Sequence, residues 1–264
     1  VVAFQDLGEP SPYRNTFFKA SNGQPDNNAN TLYTQVIQAP GSRDIGNVVS
    51  SLQALGLKGR VDFEKTFARK LNPAEFTFNP QLGFISVNTQ LQPDDVIGVA
   101  FEYTNNGKVY QVGEFAQNMP PDSTNPKVLF LKMLKSTSPD PTVPIWDLMM
   151  KNVYSLGASG VSKDNFILNV MYLDPGGGEK RYLPEGPKAG VPLISVLNLD
   201  RLNNQNDPQP DGRFDYIEGT TINSQQGKII FPVLEPFGED MRSAFGGNAQ
   251  LEKKYLYTLL YDST

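Results

Sequence analysis

The sequence predicts a mainly β chain: an antiparallel β-sandwich-like module with an internal strand–turn–strand duplication and one or two short helices. Three observations predict it. Short apolar runs with a period of two recur between turns, as half-buried strands require. Pro and Gly, 21 and 23 of 264 residues, are scattered between those runs as punctuation. And one nine-residue pattern occurs twice.

Residues 1–60 read as an irregular N-terminal extension with a short helix. SNGQPDNNANT is a loop by composition, and TLYTQVIQ follows it. Ile45, Val48, Val49, Leu52 and Leu55 fall at helical spacing, so a helix is expected over roughly 44–55, ended by Gly56 and Gly59.

Residues 61–264 read as the β-rich module. ARKLNPAEFTFNPQLGFISVNTQL gives strand, turn, strand. VIGVAFEYTNNGKVYQVGEF is a hairpin whose Asn106-Gly107 turn suits type I′, where both central residues take positive φ. VLFLKMLKS, NFILNVMYLD, LISVLNLDRL, KIIFPVL and YLYTLLYDS are the remaining strand candidates.

Thr77–Ile85 (TFNPQLGFI) aligns without a gap on Thr221–Ile229 (TINSQQGKI), with Thr, Asn, Gln, Gly and Ile coincident. Leu91-Gln92-Pro93 then matches Leu234-Glu235-Pro236. Acidic pairs follow (Asp94-Asp95, Glu239-Asp240), and then Tyr-rich runs. The copies span about 61–116 and 193–264, with a helix-containing connection at about 144–157. The second run reaches Thr264 without the hairpin partner that the first has, and the chain begins without Met. A segment of a longer polypeptide is therefore expected.

Composition narrows the chemistry. The chain has no His and no Cys, which removes His-dependent triads, imidazole and thiolate metal sites, and thiol nucleophiles. A net charge of −5, without a basic patch, argues against nucleic acid. No apolar run approaches the ~18 residues of a membrane helix.

Asp207, Asp211 and Asp215 recur every four residues in NNQNDPQPDGRFDYIEG, with Asn203, Asn206 and Glu218 nearby. Oxygen ligands of this kind can hold calcium, but the EF-hand order is absent, and Asp-Pro and Pro-Asp-Gly form turns on their own. The expectation is a loop. The glycines of DPGGGEKRYLPEGPKAG precede Pro184 and Pro187 rather than a helix, so no phosphate loop is expected. No pair of carboxylates stands out for glycoside hydrolysis. No catalytic residue, cofactor, metal or small-molecule substrate is assigned.

PIWDLMMKNVYSLGASG carries the only tryptophan. Pro144 suits a first helical turn, Asp147 complements the helix N-terminus and can reach Lys151, and Gly157 is a stop. Trp146, Met149, Met150 and Val153 would share one apolar face. The expectation is a helical plug on a sheet, with Trp146 and Met149 buried and Asp147 and Lys151 in solvent.

VPIWDLMMKNVYSLGA resembles a signature of the SprA/Sov family, very large proteins of the Bacteroidetes type IX secretion and gliding-motility machinery. ARKLNPAEFTFNPQLGFISVN, VIGVAFEYTNNGKVYQVGEF, LNLDRLN with NDPQPDGRFDYIEG, and GKIIFPVLEPFG resemble the same family in the same order, over roughly 63–262. AFQDLGEPSPY and GSRDIGNV match more loosely. The resemblance implies part of an outer-membrane translocon whose barrel passes folded cargo. It implies as partners the rest of that barrel, its partner subunits and secreted protein cargo, and it supplies no catalytic residues. The strands here are shorter than barrel-wall strands, so the expected role is a soluble, non-enzymatic module at a barrel mouth, facing the cell surface or the periplasm. A carbohydrate-binding or adhesive surface module is the rival from another class, and a carboxylate-dependent hydrolase is a second.

Overall fold

The computed structural model describes residues 1–19, 23–89, 91–118 and 126–261. The chain divides into two units, Val1–Met149 and Met150–Ser263. In chain order the first unit carries β1 (Val2–Phe4), α1 (Leu32–Gln38), α2 (Val48–Ala54), β2 (Phe63–Lys65), β3 (Phe76–Asn79), β4 (Phe84–Val87), β5 (Ile97–Val99), β6 (Phe101–Asn105), β7 (Lys108–Val112) and β8 (Phe130–Lys135). The second carries β9 (Val153–Ser155), β10 (Tyr172–Asp174), β11 (Gly178–Lys180), α3 (Leu193–Val196), β12 (Ile222–Asn223), β13 (Lys228–Ile230) and α4 (Ala249–Tyr255). The architecture is strand-rich with short helices. Among the described residues the strands form five small sheets, all antiparallel except one parallel pair, and show no closure into a sandwich.

The first unit is built on a four-stranded sheet in the order β2-β1-β8-β5. β1 is antiparallel to β2, with Phe4 opposite Phe63, and parallel to β8, with Val2 opposite Phe130. α1 turns Leu32 and Val36 inward and α2 turns Val48 and Leu52 inward, one residue pair per helix at a spacing of four. These side chains meet Phe4, Leu7, Phe17, Leu57, Phe63 and Phe130 in one core, where the Phe4 and Phe130 rings sit edge to face at 5.4 Å. Full burial of each such side chain contributes about 1.5–3 kcal/mol.

Residues 1–60 are therefore not an irregular extension. They supply nine of the twelve buried side chains of this core, and the sequence hides this because Val2, Phe4, Leu7 and Phe17 show no period of their own and lie against Phe63 and Phe130 far along the chain. The helix expected over 44–55 is present as α2; Ile45 lies outside it and is exposed, and Gly56 follows its last turn at φ 81°.

Two ribbons complete this unit. β6 and β7 pair from Phe101↔Val112 to Asn105↔Lys108, around Asn106 at φ 50° and Gly107 at φ 75°, as the type I′ expectation requires. β3 and β4 pair from Phe76↔Val87 to Asn79↔Phe84.

In the second unit β12, β13 and β9 form an antiparallel sheet, and β10 and β11 a hairpin. Leu193, Ile194, Leu197, Leu199, Ile222 and Phe245 are among the buried side chains of its core. LISVLNLDRL is not a strand. Its first four residues form α3, entered from Pro192, and Asn198 at φ 60° ends the turn that follows. This winding puts Leu193, Ile194 and Leu197 on one buried face, which outweighs their β propensity. YLYTLLYDS is not a strand either. Tyr255 ends α4, whose N-cap Asn248 accepts from the Gln250 and Leu251 amides, and Thr258–Leu260 form a 3-10 turn. Asp262 and Ser263 lie outside the described residues. Of NFILNVMYLD, only Tyr172–Asp174 is paired as a strand.

The Trp helix also needs correction. Pro144–Leu148 form a 3-10 turn, and the chain is extended again by β9. Ile145 and Val143 are the buried residues, packed with Met133 and Ala3 against the sheet, while Trp146 and Met149 are half-buried and Met150 is exposed. Asp147 is exposed as expected, but Lys151 is half-buried. A five-residue turn has no room for the i, i+3, i+7 face that a helix to Gly157 would have shown.

Candidate functional site

The duplicated turns come first, because their geometry is the most defined. Asn79 stands opposite Phe84 and Asn223 opposite Lys228, so both hairpins have the same register and the same four-residue loop. Asn79 Oδ1 accepts from the Gln81 and Leu82 amides, and Asn223 Oδ1 accepts from the Gln226 amide. Gly83 and Gly227 close the loops at φ 70° and 59°. Beyond the hairpins the copies part: the Tyr-rich run is strand in the first and helix and 3-10 turn in the second.

The second copy is strapped. β9 pairs with β13, the Leu156 amide donates to the Gly227 carbonyl at 2.8 Å, and the Val161 amide donates to the Ser224 carbonyl at 2.9 Å. The Ala158 carbonyl passes so close that a Cβ on Gly227 would lie 1.6 Å from its oxygen. Around Gly83 a Cβ would meet nothing within 4 Å.

The acidic loop does not gather its carboxylates. Asp207 receives a 3.4 Å contact from the Asn203 side-chain amide, Asp211 accepts from the Arg213 amide, and Asp215 accepts from the Arg201 and Leu202 amides. Among the described residues, no group of three acidic side chains stands close enough to share a metal ion. The carboxylate that organises this loop is Asp200, 1% exposed, which accepts from the Asp211 and Gly212 amides and the Ser195 hydroxyl. In LNLDRLN it resembles an ordinary polar residue of a strand, and the only available signal was the Asp-Gly turn eleven residues on that needs an acceptor.

Two buried polar clasps hold the first unit. Arg43 donates to both oxygens of Glu114 at 2.6 and 2.5 Å and lies 4.1 Å over the Phe130 ring. The Tyr33 hydroxyl and the Phe130 amide donate to the same carboxylate. Burial, and then the Glu114 carboxylate, push the Tyr33 phenol up to about 12.

In the second clasp Arg14 forms a bidentate pair with Asp62 at 2.7 and 2.6 Å, while its amide and that of Tyr13 donate to Asp6. Burial raises the Asp6 carboxyl above its ordinary value, against the pull of those amides. These two acids are buried, 5% and 4% exposed. Both are committed to loop amides and Arg14, an arrangement that fixes a loop.

Two surface features remain. Phe101, Tyr103 and Tyr110 form a row of rings, with centroids 6.2 and 5.2 Å apart, but Tyr110 is 9% exposed and only Phe101 presents a broad face. A hollow of about 10 Å³, room for one water, lies between Trp146, Met149, Ile145, Leu134 and Pro139. No helix among the described residues is long and apolar enough to cross a membrane. The site-like features of this chain thus hold loops and turns in place. No family model matches the chain, and no curated protein matches it.

Proposed function

We propose that this chain is a non-enzymatic structural module of a SprA-like outer-membrane translocon of the type IX secretion and gliding-motility system, serving as a cap or lining near the pore. The observation that carries the reading is that segments resembling the family at distant places in the sequence meet in one construction. VYSLGA and GKIIFP pair as β9 and β13, and the strap from the first closes over Gly227 of the second. LNLDRLN and NDPQPDGRFDYIEG, neighbours in the sequence, are joined through Asp200 and Asp215. Motifs that support one another in this way fit a rigid mechanical part. Its partners are then the rest of the barrel, its partner subunits and secreted cargo, at the cell-surface or periplasmic side of the outer membrane. The sandwich-like arrangement belongs to the same proposal, with neighbouring barrel chain supplying the layer that faces the small sheets.

The test is the reading frame that contains this chain. A very long frame with barrel-type strands around it is expected, and a parent of ordinary enzyme size overturns the proposal. In such a parent, in-frame deletion of 61–261 should stop export of cargo; unchanged export would count equally against it. A second reading, a carbohydrate-binding or adhesive surface module, is favoured by the ring row at Phe101, Tyr103 and Tyr110. Glycan-array binding that is lost in Phe101→Ala would select it.

A further inference from the structure

The second unit contains a run that alternates like a strand but, ahead of β10, has no ladder. From Phe166 to Leu173 the side chains alternate without a break. Phe166, Leu168, Val170 and Tyr172 pack on the core, while Ile167, Asn169, Met171 and Leu173 are exposed. Aromatic contacts pin both ends of the inner face: Phe166 meets Phe214 at 5.6 Å and Tyr216 at 5.4 Å, and Tyr172 meets Tyr255 at 5.1 Å. β11 pairs only with Tyr172–Asp174. The backbone amides and carbonyls of Ile167–Val170 make no hydrogen bond among the described residues. Ile167 is 80% exposed and Leu173 72%.

Folded proteins blunt such edges with charge, proline or a bulge. FILNVMYL contains no charge, no proline and no glycine. Its pattern is also self-complementary. In an antiparallel pair centred on Asn169, Ile167 faces Met171, Leu168 faces Val170, and the one polar residue faces itself. Apolar side chains then meet on both faces, as register selection demands, and a two-fold axis produces this pairing between identical chains.

We propose that Ile167–Met171 is a self-association edge through which two copies of this chain pair antiparallel about Asn169. The ladder is short. Continued outward, the same register brings Asp164 opposite Asp174, and like charges directly opposite oppose pairing. The dimer is therefore weak and concentration-dependent.

The absence of cysteine from the chain makes the test clean. Asn169→Cys should form a disulfide-linked dimer under mild oxidation. Ile167→Cys and Met171→Cys should each stay monomeric alone and cross-link when mixed, because the register sets them opposite one another. Adding Ile167→Lys to Asn169→Cys should reduce cross-linking to the level of an exposed control, Ser162→Cys, with an unchanged melting temperature because the Ile167 side chain is 80% exposed. Cross-linking of Ile167→Cys alone as fast as Asn169→Cys would overturn the register. A monomer at every concentration in sedimentation, with Asn169→Cys no faster than the control, would overturn self-association and leave the edge to a strand of another protein.

Discussion

The two copies of the repeated turn have the same register and opposite surroundings. In the β3–β4 ribbon Phe78 is 56% exposed, Ile85 37% and Leu82 76%. In the β12–β13 sheet the equivalents of the first two, Ile222 and Ile229, are 0% and 3% exposed, and a third strand with its strap covers the turn. Local chemistry, an Asn that caps the loop and a Gly with positive φ, is enough to specify the hairpin. Whether the hairpin becomes core or surface is decided by the residues that differ between the copies and by what the chain brings past them.

The largest test of that separation is at the glycines. Gly83→Ala should cost only the left-handed backbone penalty, about 1–2 kcal/mol. Gly227→Ala adds a collision with the Ala158 carbonyl and should cost about 4 kcal/mol or more, or prevent folding of the second unit. Urea midpoints of the two variants measure this, and equal losses would show that the strap moves aside freely.

Next come the paired isoleucines. Ile222→Ala and Ile229→Ala should each cost about 2–5 kcal/mol as core truncations, while Ile85→Ala, at an exposed position, should stay within about 0.5 kcal/mol. A large loss at Ile85 in thermal unfolding would mean that the first ribbon is covered in solution.

The asparagines should behave alike. Asn79→Ala and Asn223→Ala each remove a side-chain acceptor from loop amides, at about 1 kcal/mol by analogy with helix caps. Unequal effects would show that the turn is not locally encoded.

The smallest effect is on acid titration and should touch the first copy alone. Arg69, and then the Asn72 amide, hold the Glu75 carboxyl down at about 2, at the turn that leads into β3. A lowered carboxyl stabilises the fold above its unfolded value near 4.5 and loses that contribution as pH falls from about 4.5 towards 2. Amide exchange at Asn88, whose amide donates to the Glu75 carbonyl, should quicken over that window, with less change at high salt because Glu75 and Arg69 are near the surface. The β12–β13 amides should not follow.

Hairpins were legible in the sequence because their signals are local: Asn106-Gly107, and Asn followed four residues on by Gly. What escaped was set by distance or by competing preferences. Val2, Phe4 and Leu7 give no period of their own and become core only against Phe63 and Phe130. Leu193-Ile194-Ser195-Val196 has strand composition and takes a helical turn because burial requires one face. α4 could have been read, since Asn248 stands at its start, Glu252 in its first turn and Lys253-Lys254 in its last. Of the candidate site, the acids at 207, 211 and 215 lie in a loop with turn residues beside them, while Asp200, which holds the loop, gives no pattern of its own because its donors come from residues eleven and twelve positions away.

The central place of β1 has a temporal consequence. Three residues near the start of the chain lie between β2, some sixty residues later, and β8, about 130 residues later. Contacts of that span slow folding, because the loop must close before the pairing rewards it. During synthesis, α1, α2 and β2 emerge before Val128 and Phe130 of their core, and Phe4 has no ring to pack against on its β8 side until Phe130 leaves the ribosome. The second unit has a long closure of its own, since β9 waits about 75 residues for β13. The four-stranded sheet of the first unit therefore stays incomplete from the synthesis of β1 until β8 emerges, and through that interval the side of β1 that β8 will cover is an open strand edge.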